Sequence, residues 1–166
     1  MDCDSVPNGK QIDALIGLDI SKNALKLAKR NKRANVVLGT AKNLPFKEGS
    51  FKTVSCVETI FFTGSDYKQA LEEIKRASRK YIILTFQHKD SAAIYKASIS
   101  DGDNIAKYKD GTEYAFFNED DVKGLMREGF SIKKMKVYAL KDLGIEDKNV
   151  PPETKAIIYV KCEKQN

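Results

Sequence analysis

The stretch Ala14-Leu15-Ile16-Gly17-Leu18-Asp19 decides how the chain folds, because it is a short apolar run closed by an acid. A buried parallel strand takes this form when its carboxyl end opens onto a site. Ser21 then stands where a helix N-cap belongs. Ala24, Leu25, Leu27 and Ala28 give one apolar side to a helix that also holds Lys22, Lys26, Lys29, Arg30, Lys32 and Arg33. That helix returns the chain to Asn35 and a second run, Val36-Val37-Leu38, stopped by Gly39.

Further along, Pro45 forbids helix in the loop 40–46, and Lys47-Glu48-Gly49-Ser50 reads as a turn before a third strand at 53–57. Ser65 is a cap for a helix whose Tyr67, Ala70, Leu71, Ile74 and Ala77 recur at the spacing of one helical face. The β-rich run 81–86 (YIILTF) reads as a buried strand, and 87–114 as a polar, irregular cover with one short helix at 92–99. Asn118 and Asp121 form a capping-box pattern for a helix through Val122, Leu125 and Met126, with Gly129 at its C′ position. Strands at 130–140 and, after Pro151-Pro152, at 156–162 complete the chain. This alternation predicts an α/β fold with a mostly parallel sheet, helices on both faces and an antiparallel C-terminal strand pair. No internal repeat is visible.

With 166 residues, 42% hydrophobic and 31% charged, the chain is expected to form a single domain over 1–166. No apolar run approaches the ~20 residues of a membrane helix, and the first residues lack a secretory pattern. A soluble, cytoplasmic protein with no membrane partner is therefore expected. Cys3, Cys56 and Cys162 are too scattered for a disulfide framework, and with one histidine no metal site is expected. The net charge of +6 rests on 29 cations, of which 24 are lysines. Lysine lacks the planar fork of arginine, so the balance permits an anionic partner without demanding one.

In open parallel sheets ligands bind outside the carboxyl ends of the strands, and an acid at such an end takes the two hydroxyls of a ribose. Asp19 is in that position, with Ile20 beside it as an apolar face; the plainer reading is that Asp19 ends a strand and starts a helix. Ile16-Gly17-Leu18-Asp19-Ile20-Ser21 is followed by Gly39-Thr40-Ala41-Lys42-Asn43-Leu44-Pro45-Phe46 and then by Gly49-Ser50-Phe51. Together they resemble the class I, Rossmann-like S-adenosylmethionine-dependent methyltransferases, most closely the small-molecule-type group with a G-(D/T)-A-x-x-L-P-(F/L) loop. The similarity extends through 70–74, 81–86 and 117–130. The resemblance implies S-adenosylmethionine as cofactor, with Asp19 on the ribose, Ile20 on the adenine face, and Thr40 and the Ala41 N–H on the adenine edge. The segment 57–60 would lie under the methionine part. Two positions depart from the pattern: Thr40 stands where an acid is frequent, and Lys52 replaces the acid common after the loop phenylalanine.

The front of the chain departs further. A strand, a glycine-rich turn and a helix should occupy about 22 residues before Ala14, where 13 stand. The family's first strand and helix are thus expected to be shortened or missing. Met1 to Gly9 resembles the end of a glycine-rich motif with Asp4 and Val6 in place of glycines, where side chains would block close backbone approach to a cofactor. A shortened chain, a variant that has lost cofactor binding, and a site completed by another subunit all remain open. A missing central strand would leave unpaired edges, which favours direct pairing of the flanking strands or a homodimer.

The other candidates have plain readings beside them. The lysines after Asp19 read first as a solvated face. His88 is a candidate base, though a histidine at a strand end is more commonly just exposed. Glu58 would orient the cofactor amine or a substrate proton. Phe61 and Phe62 line either an acceptor pocket or the core, Cys56 is an inert core residue, and Asp2 with Asp4 lacks further ligands for a metal. The leading expectation is a methyltransferase acting on a small-molecule acceptor, with RNA or protein as other acceptors. The alternative is a non-catalytic methyltransferase-like binding or partner subunit.

Overall fold

A computed structural model describes residues 15–30, 35–95, 97–99 and 103–165. The chain divides into two compact units, Met1–Thr40 and Ala41–Asn166.

In the first unit, β1 (Ile16–Asp19) pairs in parallel with β2 (Asn35–Leu38), from Ile16 opposite Asn35 to Asp19 opposite Leu38. The crossover is α1 (Lys22–Arg30), whose start is capped by Ser21 Oγ accepting from the Ala24 N–H at 3.2 Å. Lys29 and Arg30 fall in its last turn, where cations complement the helix dipole. The structure corrects the expectation of a buried strand: β1 has only half-buried and exposed residues, and α1 has no buried residue. Leu27, expected on the apolar side, stays exposed. Among the described residues of this unit β1 has one helix and one strand to pack against. The altered glycine-rich remnant at 1–9 lies outside the described residues.

The second unit is built on β4 (Ser78–His88), the strand predicted at 81–86 and longer at both ends. One edge of β4 is held along Tyr81–Gln87 by the antiparallel β8 (Lys155–Lys164), and β7 (Phe130–Ala139) pairs antiparallel outside it. The other edge is shared: the parallel β3 (Phe51–Cys56) occupies it up to Leu84, and β6 (Glu113–Phe117) takes the last two residues, Gln87 and His88. β5 (Ile105–Lys107) pairs antiparallel with β6. The whole is α/β and Rossmann-like, with parallel ladders β1/β2, β3/β4 and β4/β6 and the expected antiparallel C-terminal pair.

Tyr67, Ala70, Leu71, Ile74 and Ala77 are the buried residues of α2 (Tyr67–Ala77), the face the spacing predicts. They meet Ile82, Leu84 and Phe86 on one side of β4, together with Val122 and Met126 of α3 (Glu119–Met126). Each leucine, isoleucine, valine, phenylalanine or methionine among them, fully buried, contributes ~1.5–3 kcal/mol. The capping box forms as read: Asn118 Oδ1 accepts from the Asp121 N–H, and Asp121 Oδ2 from the Asn118 N–H, both at 2.8 Å.

The region 87–114 differs from its reading. It holds a short 3-10 segment, Lys89–Ala93, and the hairpin β5–β6, with no α-helix among its described residues. The hairpin closes on Asp110-Gly111: Asp110 Oδ1 accepts from the Thr112 N–H at 2.9 Å, and Gly111 takes φ +84°.

Candidate functional site

The first unit contributes the carboxyl end of β1. Asp19 Oδ1 accepts from the Ser21 N–H at 2.7 Å, so one carboxylate oxygen starts the helix. The other oxygen has no partner among the described residues. Ile20, the next residue, is 76% exposed. The Asp19 carbonyl accepts from the Gly39 N–H at 3.1 Å, which brings the half-buried Thr40 to the end of β2. Asp19, Ile20 and Thr40 are thus neighbours at one end of this small unit.

In the second unit Ala41 packs against the main core, and the rest of the loop is fastened by α2 and the residue before it. Lys42 Nζ pairs with Asp66 at 2.7 Å, and its carbonyl accepts from Gln69 Nε2 at 3.0 Å. Glu73 Oε2 accepts from the Leu44 N–H at 2.8 Å. Arg76 donates to the carbonyls of Phe46 at 2.7 Å and Leu44 at 3.2 Å. Glu73 and Arg76 join through two bonds of 2.7 Å, which hold the Glu73 carboxyl below the usual range and raise Arg76. A proline-containing loop cannot satisfy its own backbone groups, and these side chains do it instead. The sequence reading missed both; their only signal was an i,i+3 acid–base pair on the face of α2 opposite the core.

Glu58 follows β3 with φ +54°, the only described non-glycine residue in the left-handed region. Holding a glutamate there costs ~1–3 kcal/mol and needs over-determination by its surroundings. Thr85 of β4 supplies it: its Oγ1 accepts from the Glu58 N–H at 2.8 Å and donates to Glu58 Oε1 at 3.1 Å. Val57, Glu58 and Thr59 are exposed, while Ile60 is buried and anchors the segment.

Phe61 is buried, stacked on Tyr114 with ring centroids 4.5 Å apart and meeting Phe116 edge-on, whereas Phe62 stays exposed. On β4, Gln87 Nε2 donates to the Tyr95 hydroxyl at 2.8 Å. His88 is 3% exposed, contrary to the expectation of an exposed histidine. The β4/β6 ladder carries it inside, where Nδ1 accepts from the Asp90 N–H at 3.1 Å and Nε2 lies 3.0 Å from Glu119 Oε2. Both ring nitrogens are thus engaged, which commits the ring to structure. Lys155, together with His88, lowers Glu119 to about 2. Burial raises the Cys56 thiol to about 11, which fits an inert core residue.

Among the described residues no group of three or more histidines, cysteines or acids is placed to hold a metal, and Asp2 and Asp4 lie outside them. No helix among them is long and apolar enough to cross a membrane.

Residues 6–84 match the family model for the methyltransferase domain. No curated protein matches the sequence significantly. A SAM-dependent methyltransferase from Methanosarcina mazei superposes with a TM-score of 0.65 at 17% identity, over 90% of this chain and 81% of that one. One from Thermotoga maritima gives 0.62 at 25% identity, over 90% and 72%. A methyltransferase from Haloferax volcanii, solved with the Trm112 methyltransferase activator, gives 0.69 at 16% identity, over 95% and 74%. The match over residues 6–84 and the shared fold make this chain similar to the class I, Rossmann-like S-adenosylmethionine-dependent methyltransferases.

Proposed function

We propose that residues 1–166 form one methyltransferase domain that binds S-adenosylmethionine and transfers its methyl group to a small-molecule acceptor. The observation that carries this reading is the end of β1, where Asp19 keeps one oxygen available beside an exposed Ile20. A carboxylate oxygen accepts from vicinal hydroxyls, and an apolar side chain in water gains by covering a flat ring. Asp19 and Ile20 therefore fit the ribose and adenine of the cofactor. Asp19 would take the ribose, Ile20 the adenine face, Thr40 and the Ala41 N–H the adenine edge, and Glu58 the methionyl amine.

When bound, S-adenosylmethionine supplies a methyl group already activated on a sulfonium. The chain's own task is then positioning, which can supply much of a rate enhancement without a dedicated base. The Glu73–Arg76 pair holds the loop after Ala41 in one shape, and the Thr85 clasp fixes the carboxylate of Glu58. His88 is occupied with Glu119 and takes no part. The buried free thiols Cys56 and Cys162 fit a reducing compartment such as the cytoplasm.

Calorimetric titration of the purified chain with S-adenosylmethionine and S-adenosylhomocysteine tests the reading, with the mass in solution recorded alongside. Micromolar binding supports it and makes an acceptor screen worthwhile. Absence of binding at millimolar ligand would point to a methyltransferase frame put to another use.

A further inference from the structure

The carboxyl end of β4 holds one polar group that no part of the described chain satisfies. Gln87 is 7% exposed, yet its Oε1 is buried without a hydrogen-bond partner among the described residues. A buried acceptor left unpaired costs ~1–3 kcal/mol, so its retention calls for an explanation. The other end of the same amide has a partner, since Nε2 donates to the Tyr95 hydroxyl at 2.8 Å. That hydroxyl accepts from Gln87 and keeps its own proton to donate.

Tyr95 is itself held in place. Its carbonyl accepts from the Tyr108 hydroxyl at 2.6 Å, and its ring lies against Phe61 with centroids 4.9 Å apart. Gln87 and Thr85 are two residues apart on β4 and so share a face of the sheet, and Thr85 clasps the carboxylate of Glu58. Burial and the charge of Glu58 both raise the Tyr95 hydroxyl above the usual tyrosine range, which keeps it a donor. The charge of Glu58 also disfavours anionic ligands.

We propose that Gln87 Oε1 and the Tyr95 hydroxyl form a paired acceptor and donor that recognise a small, uncharged or cationic molecule with an N–H beside a carbonyl. A lactam or amide edge has this pattern: its N–H would satisfy Oε1 and its oxygen would accept from Tyr95. The inference rests on the small-molecule reading above and names the chemical class of that acceptor.

The test uses 2-pyridone, a planar lactam, against N-methyl-2-pyridone, which lacks the N–H. Ligand-observed NMR titration of the full chain should show 2-pyridone binding about tenfold more tightly than its N-methyl analogue. Gln87→Leu should erase that preference while leaving the melting temperature unchanged or raised, because an unpaired acceptor has been removed. Tyr95→Phe, which keeps the ring packing, should weaken 2-pyridone several-fold. No binding of 2-pyridone, equal binding of both probes, a preference that survives Gln87→Leu, or a lower melting temperature in that variant would each overturn the proposal. S-adenosylhomocysteine titrated into the same samples reads the cofactor separately. Cofactor binding without lactam preference sinks this inference alone, and lactam preference without cofactor binding sinks the cofactor reading alone.

Discussion

Gly64→Ala is the substitution whose cost the structure defines best. Gly64 is buried in the 3-10 segment Ile60–Asp66 with φ +53° and ψ −133°, a conformation that residues with a Cβ avoid. A Cβ placed there would lie 2.7 Å from Glu113 Cβ and 3.1 Å from the Glu113 carbonyl oxygen. Contact between carbon atoms is comfortable only at ~3.5–4.0 Å. Glu113 is not free to withdraw, because its carboxylate accepts from the Ser65 N–H at 3.1 Å and pairs with Lys107 at 3.0 Å. The backbone contributes ~1–3 kcal/mol and the overlap ~1–3 kcal/mol, offset by ~0.4–1 kcal/mol from the stiffer unfolded chain, for a net loss of about 1–5.6 kcal/mol. Urea denaturation followed by far-UV circular dichroism measures it. Gly111→Ala is the control, since Gly111 has φ +84° but nothing within 4 Å of an added Cβ. Its cost should be backbone strain less the same unfolded-chain offset, about 0–2.6 kcal/mol. A Gly64→Ala loss below about 1 kcal/mol, or one no larger than that of Gly111→Ala, would refute the reasoning.

Three further outcomes follow from the same geometry. Arg76→Met keeps the side-chain length but frees the carbonyls of Leu44 and Phe46 and the Glu73 carboxylate; proteolysis should then cut within 42–46 several-fold faster, and an unchanged rate would mean that the loop holds itself. Glu58→Gly removes the left-handed strain and should raise stability by about 1 kcal/mol in thermal melts while weakening cofactor binding, whereas a destabilised variant would show that the Thr85 clasp outweighs the strain. Glu119, lowered from 4.5 to about 2 chiefly by Lys155, contributes stability that is complete above the unfolded value and lost as pH falls through the folded one. Glu119→Gln should therefore cost about 1–2 kcal/mol at neutral pH, and the gap to wild type should close between pH 4.5 and about 2; a constant gap would deny the ionic contribution.

The parts of the fold that sequence revealed are those set by local periodicity and capping. The stripe from Tyr67 to Ala77, the Asn118 box and the run of β4 each depend on neighbours in sequence, and each forms as read. The β5–β6 hairpin was missed although Asp110-Gly111 is a strong turn signal, because its strands are only three and five residues long. His88 looked exposed because β6, which covers it, pairs with β4 across a long sequence gap. The strain at Glu58 leaves no trace in composition, since a glutamate does not announce a positive φ. The unpaired oxygen of Gln87 is likewise a property of packing. Of the site residues, Asp19 and Ile20 are legible from strand pattern and resemblance, while the bonds of Glu73 and Arg76 to the loop at 42–46 depend on packing across 29–32 residues of sequence.

The central claim is that the end of β1 holds the ribose and adenine of S-adenosylmethionine. Parallel calorimetric titrations of wild type and Asp19→Ala with S-adenosylhomocysteine test it most directly, with melting temperatures recorded for both. The expected result is micromolar affinity in wild type and a loss of about a hundredfold or more in the variant, with no drop in melting temperature beyond that of the one lost hydrogen bond to the Ser21 N–H. Equal affinity in the two proteins would contradict the account.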